Sequence, residues 1–577
     1  MSYMQIANEA FKLKLHYNAE KPVPPSCLYA ARRDSAAFQL ILNSKEFYSV
    51  NVGLGEWISA RGDKHIVGKL RHERLRVAVE APFEAKTNIE EFLTDDDNCK
   101  KADMLLTQSI RESDPNTPTA VWVEVNVPED AKPGDYEIKV RLYAALSFED
   151  EKEVAYATIP LHVADFLLPK PCERRFFLDL WQHNSNIARK HDVQLWSDAH
   201  FAVLENYVRS LAELGQRSIT VCASEIPWSG QSCFESQEFG GNLFEFSMIP
   251  ITREPDGSYS YDYSIMQRYI DLCTSYGFSG DIEVFGLVNL WTKERLMPHS
   301  LCEEYPEAMR LRYLDKADGC MKYMRDYKDI VAYVKALEQY FVKTNQIERV
   351  RVAADEPSDV DKYRASLDLL AEIAPAFHLK TAINHVEFIE EFGDRIDDFV
   401  PHLRSALRGF EALQGYQRKY PGKRFLWYVC TGCIKPNTFL RSPLTESRMI
   451  GSITSAFHLD GFLRWNYTIW PDDPRHEIRA SHWEAGDTNF VYPAYNGSVL
   501  LSLRYKNLQR GLADHELLET LRDRCGDEVA DGLVWQLMKV PDAQTYYALS
   551  RSETELFTYD WEVLNTHKAK MLELLDK

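Results

Sequence analysis

From Phe177 to Trp465 the chain repeats one unit, a short apolar run followed by an amphipathic segment, and that repetition allows few folds. The runs are "RFFLDL" near Phe177, "SITVC" ending at Cys222, "IEVFGLV" around Phe285, "RVRVAA" ending at Ala354, "HLKTAI" ending at Ile383, "DDFVP" around Phe399, "RFLWYV" ending at Val429 and "GFLRW" ending at Trp465. Between them, segments such as "AHFAVLENYVRSLAELG" and "YKDIVAYVKALEQYFVKT" space apolar residues three and four apart, as a helix with one buried face requires. About eight strand–helix units over roughly 290 residues predict a (β/α)8 barrel. A doubly wound open sheet is the rival, but no glycine-rich phosphate loop follows the first run.

Upstream the rhythm is different. "AAFQLILNS", "RLRVAVEA", "VWVEVNV", "DYEIKVRLYAA" and "ATIPLHVADF" alternate apolar and polar residues between turn-forming stretches, the pattern of half-buried antiparallel strands. A β-sandwich over residues 1–168 is expected, joined through the proline-stiffened "LLPKPCERR" to a barrel over 172–480. Residues 481–577 open with a hairpin-like piece and are otherwise helical, an extension expected to pack on the barrel. The fold class is therefore α/β: a TIM barrel between an N-terminal antiparallel sandwich and a mostly helical C-terminal part.

With 577 residues, 45% of them hydrophobic, the chain can bury a large core. Its 87 acidic and 67 basic residues give a net charge of -20 without long like-charge runs, which argues against nucleic acid as a partner. No apolar stretch approaches the ~18 residues of a spanning helix, and the N-terminal "MSYMQIANEAFKLKLHY" lacks the apolar core of a signal peptide. A cytoplasmic protein without membrane contact is the expectation, with a homodimer left open. Of eleven cysteines only Cys430 and Cys433 form a C-x-x-C, with no second pair or histidine spacing to complete a zinc site, so reduced packing thiols and no cofactor are expected.

Barrel enzymes build their sites at the C-terminal ends of the strands. There the sequence offers Trp181, His183 and Asn184 after the first run, Glu225 and Trp228 after the second, Asp355 and Glu356 after the fourth, and Asn384 and His385 after the fifth. His402 follows the sixth; Trp427 and Tyr428 close the seventh; Arg464, Trp465, Asn466, Tyr467 and Trp470 follow from the eighth. Aromatic rings with carboxylates and amides, and no metal cluster, suit a carbohydrate: sugars offer C–H faces to tryptophan and hydroxyls that need directional partners. Core filling by single tryptophans and local hydrogen bonding by single histidines are the plainer alternatives. Glu283 lies within the third run, which lowers its standing as a catalytic group; Glu225 keeps its place.

Asp355 and Glu356 are neighbours, followed by Pro357 and by Ser358 and Asp359, which can cap the next helix. Ordinary glycosidases use two carboxyls about 5–5.5 Å or about 6.5–9.5 Å apart on opposite sides of the sugar. Adjacent carboxyls suit a substrate-assisted route instead, in which the sugar's 2-acetamido oxygen attacks the anomeric carbon, one carboxyl protonates the leaving oxygen and the other orients the acetamido group.

"RVRVAADEPSDVDKY", with "DLWQHNSN", "FLWYVCTG", "GFLRWNYTIW" and the late "GDTNFVYP" and "SLRYKNLQRGLADHELLETL", resembles glycoside hydrolase family 123 over most of the chain. The resemblance implies a β-sandwich before a (β/α)8 barrel, β-N-acetylgalactosaminidase activity of the exo-acting, retaining kind, Asp355 as the acetamido-orienting residue and Glu356 as the general acid/base. It also implies an active-site tyrosine, for which Tyr428 and Tyr467 both stand. Gly486, Asp487, Tyr492, Pro493, Arg510, Gly511, Asp514 and Glu516 carry the C-terminal part of the resemblance, and a structural role is the first expectation for them. A glycosidase with separated carboxylates such as Glu356 and Glu225, a non-catalytic sugar-binding barrel, and last a metal-dependent hydrolase are the alternatives.

Overall fold

The computed structural model describes residues 3–15, 21–53, 72–146, 149–226, 245–288, 309–432, 434–471, 473–479 and 483–576. Two sheets form the N-terminal sandwich. One has five strands in the order Met4–Asn8, Asp34–Leu42, Thr119–Val127, Ala85–Thr94, Lys100–Leu105. The other has six: Leu28–Arg32, Lys152–Leu167, Gly134–Leu146, His72–Glu80, Phe47–Asn51, Ile110–Ser113. Pairing is antiparallel except where Leu28–Arg32 joins Lys152–Leu167 and Phe47–Asn51 joins His72–Glu80 in parallel. Alternate residues such as Phe38, Leu40, Val121, Val123, Val140 and Leu161 meet between the sheets, as the two-residue period demands. The other set on the five-stranded sheet, with Ala37, Ile41 and Trp122, packs against Leu444 and Leu503 from the far end of the chain.

Eight parallel strands follow: β1 (Phe177–Leu180), β2 (Ile219–Cys222), β3 (Ile282–Phe285), β4 (Val350–Asp355), β5 (His378–Ile383), β6 (Asp398–Pro401), β7 (Arg424–Tyr428) and β8 (Gly461–Arg464). They pair in sequence order from β2 to β8, and β8 returns to β1. The seam between β1 and β2 closes through a bridge of Leu178 with Gln216, whose side-chain amide accepts from Leu180 N–H at 2.9 Å and donates to Leu180 O at 3.1 Å. The sheet is thus a closed barrel with helices outside it. In Tyr327–Lys343, for example, Asp326 caps Lys328 N–H at 2.8 Å and Ile330, Tyr333, Val334, Leu337 and Phe341 form the buried stripe. No helix among the described residues is long and apolar enough to cross a membrane.

The barrel interior departs from the usual branched aliphatic filling. Lys380 of β5 reaches Asp179 of β1 at 2.5 Å and also meets Glu283 of β3, all three fully buried. Arg351 pairs with Asp398 at 2.9 Å and Arg424 with Asp281 at 2.7 Å. Two residues further along the same strands, Trp181, Phe285 and Ala382 belong to an apolar cluster with Leu426, Tyr428 and Leu463. The charges therefore lie one layer closer to the strands' N-terminal ends than the aromatic lining. Three cations face four carboxylates in this interior, and burial followed by the charge of Asp179 pushes the Glu283 carboxyl up to about 8.

The segment after β8 forms the hairpin Tyr492–Pro493 with Val499–Leu500, and then α2 (Leu503–Cys525) lies along α1 (Leu444–Ala456). At their crossing Gly451 and Gly511 face backbone: an added Cβ would stand 2.0 Å from Gly511 O in one case and 2.1 Å from Arg448 O in the other. Arg510 bonds Glu9 at 3.0 Å and Glu124 at 2.8 Å, and Arg448 bonds Asp514 at 2.7 Å. Tyr492 donates to Asp103 at 2.5 Å, Arg504 pairs with Asp103 at 2.9 Å, and Glu516 accepts from Arg175 N–H at 2.8 Å. Of the C-terminal residues singled out above, Tyr492 and Arg510 thus bond the sandwich, while Asp514 and Glu516 hold α2 to α1 and to the linker.

Because folded Glu283 holds a proton that the unfolded chain releases at about 4.5, its ionisation costs stability progressively as pH rises from about 4.5 to about 8. Glu283→Gln carries no such cost, so its stability relative to wild type should improve from pH 5 to pH 8 in urea denaturation; a constant difference would mean that Glu283 is ionised throughout.

Candidate active site

Consecutive residues of a regular strand point to opposite faces. Asp355 ends β4 and shares the interior parity of Arg351 and Ala353, so Glu356 should point away. It does not, because Glu356 has φ +43°, a left-handed conformation uncommon for a residue other than glycine or asparagine, while its N–H still bonds Ala382 O of β5 at 2.9 Å. The alternation breaks at this residue, and its carboxylate accepts the phenolic hydrogen of Tyr428, which ends β7 facing inward. Tyr428 is held far above its ordinary pKa, first by burial and then by the charges of Glu356 and, less, Asp355. Pro357 is buried, and the cap of helix Val360–Ile373 is Asp359, which accepts from Asp361 and Lys362 N–H at 3.0 Å each; Ser358 is exposed.

Around this pair stand His402, whose ring meets Tyr428 edge-on at 5.0 Å, and Trp181, edge-on to Phe285 at 4.9 Å. Trp465 and Cys430 border the same interior cluster, and Trp465 packs against Trp483 with ring centres 5.6 Å apart and planes tilted by 43°. Asn384 and His385 are exposed at the end of β5, His385 lying over Phe388. His183 is buried with Nε2 at 3.2 Å from Trp465 O; since a carbonyl only accepts, that nitrogen carries the proton, and burial holds the ring at about 3, neutral at ordinary pH. It steadies the backbone of the eighth loop.

Glu225 is occupied elsewhere. Arg312 bonds one oxygen at 2.6 Å and Tyr323 donates to the other at 2.5 Å. Both partners belong to a four-stranded sheet, Tyr259–Tyr261, Ile251–Arg253, Arg312–Asp315 and Cys320–Tyr323, made by the loops after β2 and β3. That sheet has no counterpart in the sequence reading. Its strands are three or four residues long and mostly polar, too short to carry a period.

Five sequence candidates are not brought to the mouth. Trp427 lies one residue out of phase with Leu426 and Tyr428, so its indole points outward and donates to Thr454 of α1 at 2.8 Å. Tyr467 shares a hydrogen bond with Ser210 at 2.7 Å, and Trp470 donates to Val491 O at 2.7 Å beside Tyr207. Asn466 bonds Asp487 O and Ile469 N–H. Arg464, also outward, is buried against Asp487 at 2.6 Å. Trp228 and Cys433 lie outside the described residues. Conversely, nothing in the sequence marks Trp483, which lies 18 residues after Trp465 with no strand or motif around it.

A closed barrel with paired carboxyls, a buried phenol and aromatic rings at the C-terminal ends of its strands belongs to the class of barrel hydrolases that act on sugars. The profile of the glycoside hydrolase 123 catalytic domain matches residues 181–521, more than half of the chain, and the protein belongs to that family. In three dimensions it superposes on a family 123 glycoside hydrolase from Clostridium perfringens, described for glycolipid glycan hydrolysis, with TM-score 0.75 and 16% identity over 99% of each chain. A β-D-glucuronidase from Dictyoglomus thermophilum aligns with TM-score 0.30 and 8% identity over 89% of this chain and 98% of the other. No curated protein matches.

The left-handed backbone at Glu356 costs about 1–2 kcal/mol for a residue of this kind, whereas asparagine tolerates it. Glu356→Asn should therefore raise the thermal midpoint. A lowered midpoint would show that the carboxylate stabilises the fold more than its backbone strains it.

Proposed function

We propose that the protein is an exo-acting, retaining β-N-acetylgalactosaminidase working by substrate assistance. The observation that carries the reading is the left-handed turn at Glu356, which gives two adjacent carboxyl groups to one side of the barrel. Glu356 donates its proton to the glycosidic oxygen as the bond to the anomeric carbon breaks. The 2-acetamido oxygen attacks that carbon from the other face, and Asp355 accepts the acetamido N–H and balances the charge of the oxazolinium ion. Water, deprotonated by Glu356, then opens the ring, so two inversions leave retention. Tyr428, kept protonated by its burial, remains a hydrogen-bond donor throughout. The engagement of both Glu225 oxygens and the burial of Glu283 beneath the aromatic layer support this reading over one with separated carboxylates.

Purified protein offered aryl β-GalNAc, β-GlcNAc, β-galactoside and β-glucoside should cleave the acetamido sugars, GalNAc best; cleavage restricted to sugars without the acetamido group would sink substrate assistance. Glu356→Gln should lose far more activity toward poor leaving groups than toward activated aryl ones, since only the former need the acid. Equal losses would give Glu356 another task.

The two tyrosines separate cleanly. Tyr428→Phe should lower kcat/KM by about ten-fold or more, as loss of a hydrogen bond at the reacting centre does. Tyr467→Phe should leave kcat/KM nearly unchanged and cost about 1 kcal/mol of stability for the lost Ser210 bond. Comparable kinetic losses in both variants would count against Tyr428 as the active-site tyrosine.

A further inference from the structure

The loop sheet that occupies Glu225 has two unlike faces. Consecutive strand residues alternate, so Arg312 and Leu314 share one face with their cross-strand partners Tyr323 and Met321, while Tyr313 and Asp315 share the other. The second face is packed against the chain: Tyr313 is buried and meets Tyr259 edge-on at 5.2 Å, and Tyr261, its neighbour through Ile251, meets Tyr333 of the helix Tyr327–Lys343 at 5.3 Å. The first face is open to water, with Leu314, Met321 and Tyr323 exposed by 38%, 55% and 38%. Apolar side chains grouped on a water-exposed surface mark a place where something binds.

The direction of that face is given by Glu225. Arg312 at 2.6 Å and Tyr323 at 2.5 Å both bond this carboxylate, which stands just past β2, so the face is turned toward the strand ends. Arg312 also lies over the Phe246 ring at 5.3 Å, and Phe246 N–H donates to Ser185 Oγ at 2.9 Å, four residues past Trp181. The surface therefore runs without a break from the loop after β1 through Phe246 and Arg312 to Leu314 and Met321, which lie about 7 Å farther out along their strands. β2, β3 and β4 are neighbours in the barrel, and the loops after β2 and β3 build this sheet, so it stands beside the end of β4 and Glu356. A group that takes its proton from Glu356 leaves on that side, whereas Trp181 and Trp465 belong to the β1 and β8 side. At the outer part of the face Leu314 and Met321 offer an apolar leaving group burial and offer a second sugar no hydrogen bonds, and the nearest polar groups, Arg312 and Tyr323, are already paired with Glu225.

We propose that the open face of the loop sheet binds the leaving group of the substrate, and that Leu314 and Met321 select glycosides with an apolar aglycone, alkyl or aryl, over those in which the aglycone is another sugar. The bond that is broken rests on the glycosidase reading above; the preference for an apolar group beside it does not depend on which sugar is released.

The test compares wild type, Met321→Leu and the double variant Leu314→Ser/Met321→Ser in the full chain. Each is offered the methyl β-glycoside, the hexyl β-glycoside and a β-linked disaccharide of whichever sugar the wild type cleaves fastest. Methanol and hexanol are similar leaving groups, so a difference between the first two reports binding of the alkyl chain. Wild type should show kcat/KM about ten-fold higher for hexyl than for methyl, and the double variant should lose that advantage while staying within about two-fold of wild type on methyl and on the disaccharide. Met321→Leu, which keeps the apolar surface, should keep the hexyl preference, and all three proteins should share one thermal midpoint because both side chains are exposed. Equal losses on methyl and hexyl, or a wild type without hexyl preference, would overturn the proposal; an equal loss on the disaccharide would make the face a sugar subsite and overturn the apolar selection. Hexyl and methyl β-GalNAc are also titrated by calorimetry into Glu356→Gln with and without the double substitution, a readout that needs no turnover. Tighter hexyl binding that the double substitution removes, in a protein that cleaves no glycoside, would overturn the glycosidase reading and uphold the face; cleavage with equal binding of the two would do the reverse.

Discussion

The backbone contact of Gly451 with Gly511 sets how the three parts of the chain meet. Two helices can come this close only where neither has a side chain, and the approach brings Arg448 of α1 within reach of Asp514 on α2. Arg510, one residue before the contact, then reaches into the sandwich to Glu9 and Glu124, and Lys506 joins Glu124 at 2.8 Å. Every one of these groups is buried, and a buried charge left without its partner costs several kcal/mol. The pairs of Arg510 and Lys506 with Glu9 and Glu124 therefore act as a register: displacing the sandwich from this arrangement would lose them together.

The barrel interior shows the same economy of charge. Lys380 binds the Asp179 carboxylate of β1 and the Glu283 carboxyl of β3 while projecting from β5, so one cation connects three alternate strands across the lumen. An aliphatic layer would fill the space with less desolvation cost, but it would not select one stagger of the strands. The polar layer gives the strands a fixed register, and with it the heights at which Trp181, Asp355 and Tyr428 emerge.

Much of this was legible in the sequence. The eight strands were, because each is an apolar run bounded by helices of clear spacing, and position along a strand sufficed to nominate Asp355, Glu356 and Tyr428. Direction was harder. Trp427 differs from Tyr428 by one residue and so faces the opposite way, while Tyr467 and Trp470 follow a strand whose two-residue period has already ended. The loop sheet around Arg312 and the tilted packing of Trp483 against Trp465 arise from contacts between distant segments, and no local pattern records them. The departure from alternation at Glu356 was hidden for another reason: a left-handed glutamate leaves no mark in composition, although the Asp-Glu-Pro that surrounds it did.

That single dihedral bears on the chemistry proposed for the site. A barrel that used two separated carboxylates would need a second one at the end of another strand, free of structural partners and facing the first across the sugar. Glu225, the natural candidate, is bound on both oxygens by the loop sheet, and Glu283 lies a layer too deep. When the substrate supplies its own nucleophile, the strands opposite β4 have no carboxylate to provide. They can then carry Trp181 and Trp465 instead, and the proposed mechanism leaves one side of the barrel to proton transfer and the other to the sugar ring.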